Sequence, residues 1–332
     1  MASTEVNNPV QSRAFPSVRQ IVESAFPIIV IYVVMAIIYS AVQPSALSLY
    51  SIESLFNNSL PLMLAAAGAT FVILQGGFDL SVAGIISLAN VVVAVAPVEG
   101  PFGALANFAM VIAIGLLVGA VNGYVVAYLR IQAIAATLAT MIICKGVALL
   151  ILDAPGGYVS DFMAYELTAS IFGVLPIAVV IAVAVMIFWS VFRTTNSGRS
   201  LLAVGQDENA AALSGIDVAR TRFMSFFWAG AFYGAAGYML AAQTATGNPN
   251  GGDPFLLLSF AAVALGGTAF GGGRGGVTAS LFGAATLMLM QKVLFAVGVS
   301  SFYTGVIQGA IMILAVLFSA FVQAATSRRN TP

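Results

Sequence analysis

The chain has 332 residues, 60% of them hydrophobic and only 7% charged, with 12 basic residues balancing 12 acidic ones. Soluble domains carry about 25% charged residues, and the long apolar runs here recur from end to end, which excludes a water-soluble core with a lone anchor. The absence of histidine removes the commonest general base and metal ligand, and the single Cys144 excludes an intrachain disulfide and any cysteine-rich metal site.

Residues 1–20 are a polar tail holding Arg13 and Arg19, without the pattern of a cleavable leader. The first apolar run covers 24–42, with Pro44 at its exit, and the second covers 55–74, after Glu53. QGGFDLSVAG, 75–84, is a glycine-rich break holding the ionisable Asp79, and a third run continues to 96. A turn at 97–104 holds Pro97, Glu99, Gly100 and Pro101. The fourth run, 105–129, ends at Arg130, and the fifth, 131–152, carries Lys145. A polar loop, 153–170, holds Asp153, Asp161 and Glu166 and leads to the sixth run, 171–192.

The central stretch, 193–222, mixes both charge signs densely and is flanked by Trp189 and Trp228, where interfacial aromatics sit. The seventh run is 223–242, and TATGNPNGGDP leads to the eighth, 255–270. GGGRGG, 271–276, breaks the chain again before runs at 277–297 and 302–324 and a tail, 326–332, with Arg328 and Arg329. The expectation is an all-α, polytopic membrane protein of about ten transmembrane helices in one domain, 21–325. Runs three and eight are short enough to be re-entrant.

Charge fixes an expected orientation. With an inside N-terminus and ten crossings, the inner side receives Arg13, Arg19, Arg130, Arg193, Arg199, Arg220, Arg222, Arg274, Arg328 and Arg329. Both termini are then cytoplasmic. Lys145 and Lys292 lie in the outer half and are read as snorkelling towards a membrane exit. Repeats at four residues, Gly115/Gly119/Gly123, Gly230/Gly234 and Gly305/Gly309, predict close helix packing within the chain.

Three stretches bear on function. In GGFDLSVAG, Asp79 and Ser81 open the third run, read both as a helix cap and as a broken helix beside a transport path. Gln75, Phe78, Asn90 and Asn122 join them as candidate pathway residues, although interhelical hydrogen bonding explains the amides equally well. GGGRGG lies between membrane runs with no strand before it, so it is a tight inner turn and not a dinucleotide fingerprint; no Walker A sequence occurs anywhere. DENAAALS, 207–214, places acids in a first turn and Gly215 after the last, which predicts a two-turn helix. So short a helix is unstable alone in water and needs a surface, either the membrane body or another protein.

Four motifs in order resemble the membrane permease subunits of bacterial ABC importers for simple sugars, the ribose/xylose/galactose branch. They are GGFDLSV at 76–82, NGYVVAYLRIQAIAATLATM at 122–141, SGRSLLAVGQDENAAALSGIDV at 197–218 and GGTAFGGGRG at 266–275. Gln132 and Ala133 depart from the family's paired prolines, and Asp207 and Asn209 stand where it has Asn and Glu.

The resemblance implies a permease subunit with no catalytic residues, forming the pathway for a monosaccharide or related polyol. It implies a second permease subunit, a periplasmic binding protein, and a cytoplasmic ATPase that carries the ATP, with no cofactor on this chain. The family's coupling helix maps onto Gly205, Gln206, Asp207, Glu208, Asn209, Ala210, Ala211, Leu213, Ser214 and Gly215. The location implied is the bacterial inner membrane, with lipid as surroundings and no nucleic acid as partner. Branched-chain amino acids or nucleosides are the alternative substrates. An ion-coupled transporter would need carboxylates at mid-membrane depth, and none is clearly placed there.

Overall fold

The computed structural model describes residues 18–300 and, past them, 303, 305, 306, 309 and 310. Most of the expected tail at 1–20, most of the tenth run and the tail at 326–332 lie outside the described residues.

The helices are α1 (Val18–Val42), α2 (Leu49–Leu74), α3 (Val82–Val95), α4 (Gly100–Ala127), α5 (Ala133–Ile151), α6 (Ile177–Phe192), α7 (Asn196–Gln206), α8 (Glu208–Leu213), α9 (Val218–Thr244), α10 (Asp253–Leu265) and α11 (Val277–Ala296). A small hairpin, β1 (Ser170–Ile171) with β2 (Leu175–Pro176), precedes α6. Among the described residues, α2, α4, α5 and α11 are long and apolar enough to cross a membrane. A fifth crossing results if α6 and α7, bent by 79° at their junction, form one span.

The core is built on α2, which is buried on every side from Ser59 to Leu74. A helix apolar all round belongs inside a larger body. Helix α9 lies against α2, α3 and α4. Its contact with α4 is the close approach that the glycine spacing predicts. A Cβ at Gly115 would stand 2.0 Å from the Gly230 carbonyl oxygen, and one at Gly119 would stand 2.4 Å from that of Phe226. Gly305 and Gly309 have no described atom within 4 Å of such a Cβ, so the third repeat makes no comparable contact among the described residues. Outward faces of α4 and α5 expose Leu117, Val121, Ile142, Ile143 and Leu150, as lipid-facing helices do.

Three expectations need correction. The sixth run is not helical from 171: Phe172 and Gly173 take positive φ in the hairpin, Pro176 sits at the N-cap, and helix begins at Ile177. The turn at 97–104 ends early, because α4 starts at Gly100 with Pro101 in its first turn. The central stretch is mostly helix: α7, α8 and the first turn of α9 occupy it, and Asp217 caps α9 by accepting the Arg220 N–H at 2.9 Å.

Runs three and eight become the 14-residue α3 and the 13-residue α10. At 1.5 Å per residue each reaches only about 20 Å of a ~30 Å hydrocarbon core. Loops fold in to cover α3: the Gly252 N–H donates to Ser87 Oγ at 3.0 Å, the Asn248 N–H to Asn90 Oδ1 at 2.6 Å, and the Tyr158 N–H to the Ala94 carbonyl at 2.9 Å.

Candidate coupling and broken-helix site

The first break starts with a glycine stop. The Gly76 N–H donates to the Ile73 carbonyl at 2.8 Å and the Gly77 N–H to that of Val72 at 3.0 Å, with Gly76 at φ +81°. This pairing satisfies the last carbonyls of α2 and turns the chain sharply. Asp79 follows, buried, with Oδ1 accepting the Ser81 N–H at 2.9 Å and the Ser81 hydroxyl. The bond closes a turn two residues ahead of the helix, so Asp79 shapes the entry to α3 without capping its first turn.

A buried polar relay runs on from there. Asn122 Nδ2 on α4 donates to Ser81 Oγ at 2.9 Å, and Thr140 Oγ1 on α5 donates to Asn122 Oδ1 at 2.8 Å. Thr137 Oγ1 accepts the Leu80 N–H at 3.0 Å. The second oxygen of Asp79 and the side-chain amide oxygen of Gln75 are buried without a hydrogen-bond partner among the described residues.

The six candidate pathway residues therefore separate. Asp79, Ser81 and Asn122 form one cluster. Phe78 turns to the second break, stacking on Phe270 with ring centroids 5.8 Å apart and tilting against Phe260. Gln75 caps α2 and lines a polar cavity of about 520 Å³ together with Arg130, Gln132, Glu208 and Arg222. Asn90 lies farther along α3 and holds the loop after α9.

The second break, after α10, is a compact turn. The Ala269 N–H donates to the Arg274 carbonyl at 3.0 Å, and the Gly276 N–H to Thr268 Oγ1 at 3.2 Å. It is fastened to the first break by the Gly273 N–H, which donates to the Leu74 carbonyl at 2.8 Å.

The expected helix over 205–215 is split. Gly205 and Gln206 end α7, and Asp207 starts a new helix by accepting the Ala210 N–H at 3.0 Å. Glu208 pairs with Arg222 of α9 at 2.6 Å. At the far end Gly215, at φ +81°, terminates α8. Within α8 only Ala211 is buried, and Leu213 is 91% exposed. Helix α7, by contrast, buries Gly198, Leu201 and Val204 against the body. The two-turn helix read at 207–214 thus stands out from the body with an apolar tip, while α7 before it packs.

Sequence reading missed Thr137 and Thr140. Their hydroxyls fall among apolar residues at helix spacing, and only the folded contact with Asn122 and Leu80 marks them. It also missed the pair of Lys145 Nζ with Asp253 Oδ1 at 2.7 Å, which joins α5 to the start of α10. Lys292 donates to Ser54 Oγ at 2.9 Å.

Apolar helices of crossing length mark a membrane protein, in which two glycine-rich breaks are fastened together beside the exposed α8. Residues 51–316 match the family described as branched-chain amino acid transport system / permease component, and the chain belongs to that family. It is 33% identical to the ribose import permease protein RbsC of Bacillus subtilis over 86% of this chain and 89% of that one. Against the ribose import permease protein RbsC of Escherichia coli K12 it is 31% identical over 87% and 91%. The L-arabinose transport system permease protein AraH of E. coli K12 is 33% identical over 79% and 80%. No solved structure matches the chain.

Proposed function

We propose that the chain is the permease subunit of an ABC importer that carries a monosaccharide or related polyol across the bacterial inner membrane. The observation that carries this reading is the similarity to ribose and L-arabinose permeases over about four-fifths or more of the chain. In this reading about ten helices span or enter the bilayer, with both termini and α7–α8 in the cytoplasm. A periplasmic binding protein delivers the solute to a pathway between this chain and a second permease subunit, either a second copy or a related chain.

ATP stays on a separate cytoplasmic ATPase, which grips the exposed α8 through Glu208, Asn209, Ala210 and Leu213. The break around Phe78, Asp79 and Ser81, with Asn122, lies beside the pathway, where irregular backbone is tolerated because protein or a water-filled cavity surrounds it. The test is extraction of the tagged chain from its own membranes in mild detergent, followed by mass spectrometry. Expected is a stoichiometric ATPase, and uptake in reconstituted vesicles that ribose-like sugars compete for. Recovery of the chain alone in every detergent overturns the reading. The family's description favours one second reading, branched-chain amino-acid import; competition by leucine and not by pentoses selects it.

A further inference from the structure

Three segments distant in sequence meet at one point made of glycine. The Gly273 N–H of the second break donates to the Leu74 carbonyl at the end of α2, 2.8 Å away. Gly205, on the last turn of α7, lies against that same bond: a Cβ there would stand 1.8 Å from the Leu74 oxygen and 2.5 Å from the Gly273 nitrogen. Gly272 closes the junction, its Cβ position being 2.8 Å from the Gly76 nitrogen and 2.9 Å from the Gly205 oxygen. Gln206 adds a long contact, Nε2 to the Gly273 carbonyl at 3.4 Å. A side chain at 205 would have to part α7 from the bond that ties the two broken spans together.

We infer that Gly205 and Gln206 are not docking residues but positioning residues, through which displacement of α8 is delivered to both broken spans at once. The inference rests on the proposed importer reading and specifies its route. Three observations make the route mechanical. First, α7 is packed at its other end: a Cβ at Gly198 would stand 2.3 Å from the Phe192 carbonyl oxygen, and Phe192 with Trp189 of α6 packs edge-on against Phe71 of α2, at 5.1 and 5.5 Å. Second, α7 and α8 share Asp207 with no linker between them, so α8 cannot move far without dragging the end of α7. Third, the two breaks are already joined, by Gly273 to Leu74 and by Phe78 on Phe270, so a push at either reaches the other. Tightly packed contacts shift between discrete arrangements instead of deforming smoothly, which suits a coupled step.

The route predicts that coupling and docking separate. In vesicles holding the permease, its co-purifying ATPase and the binding protein, solute imported per ATP hydrolysed is compared with ATPase retained per permease. Gly205→Ala should retain the ATPase at wild-type stoichiometry while import per ATP falls at least tenfold. Because that variant crowds backbone and can fail to fold, a second change inserts two glycines between Gln206 and Asp207. The insertion keeps the glycine junction, the Asp207 cap and α8, and gives up the Asp207 N–H bond to the Ala203 carbonyl, 3.1 Å, at the connection it slackens. Import per ATP should again fall with the ATPase retained. Unchanged import per ATP in the insertion variant overturns the inference, and so does loss of the ATPase in both variants, since the segment would then merely shape the docking surface. If wild-type permease itself retains no ATPase, the importer reading has failed, and this route with it.

Discussion

Asp79 enters the cluster with one oxygen bonded to Ser81 and the other without a partner among the described residues, so the cluster depends on what holds Ser81 in place. That residue is Asn122, whose amide donates to Ser81 Oγ while its oxygen accepts from Thr140. Asn122→Ala removes a donor to a buried hydroxyl beside a buried carboxylate. Leaving such groups unpaired costs about 1–3 kcal/mol. Thr140→Val should cost less, because Asn122 keeps its bond to Ser81. Thermal or denaturant unfolding of the detergent-solubilised permease should therefore rank Asn122→Ala well below Thr140→Val. Equal losses would show that the bond to Ser81 carries no special weight. The sequence pointed to Asp79, Ser81 and Asn122 because charge or amide inside apolar runs stands out. It did not point to Thr137 or Thr140, whose hydroxyls also bond carbonyls of their own helix and carry no charge to draw notice.

At the scale of elements, α8 is six residues long and cannot hold itself together in water. Its cap, its glycine stop and its ion pair to α9 supply what length does not. Asp207→Ala removes the cap and should cost about 1 kcal/mol locally, lowering ATPase retention in part, whereas Asp207→Asn should keep it, since Asn caps equally well. Leu213→Asp leaves the helix formed and charges its exposed tip, so ATPase retention should be lost while the permease still purifies folded. Retention of the ATPase by Leu213→Asp would move the docking surface elsewhere. The same elements show what periodicity reveals. Apolar runs located each described helix of the body, and DENAAALSG located α8. They could not reveal that α7 is a separate packed helix, because RTTNSGRSLLAVGQ mixes polar and apolar residues as a solvent-exposed loop does. Nor could they show where α3 ends and α10 starts, where loops fold inward onto Ser87, Asn90 and Ala94.

At the scale of the whole molecule the two breaks meet the end of α7, which leads directly into α8. Basic residues concentrate with the α7–α8 elbow, and the proposed orientation, which follows the positive-inside rule, puts this elbow in the cytoplasm. The side assignment can be tested without stripping native thiols, because the chain's one cysteine, Cys144, is 4% exposed and packed against Gly84 of α3. Two exposed positions bracket α6: Phe172 at the hairpin tip, 98% exposed, and Leu213 at the end of α8, 91% exposed. Between them α6 contributes 16 residues, about 24 Å of helix. Phe172→Cys should react with a membrane-impermeant maleimide in intact cells whose outer membrane has been opened. Leu213→Cys should react only in inverted vesicles or after permeabilisation. Labelling of both from the same side would mean that α6 and α7 do not complete a crossing. Because Gly205, Gly273 and Leu74 lie in contact beside α8, labelling of both from outside would put the glycine junction and α8 together on the face that a cytoplasmic ATPase cannot reach, whereas labelling of both from inside would keep the docking side and move the hairpin.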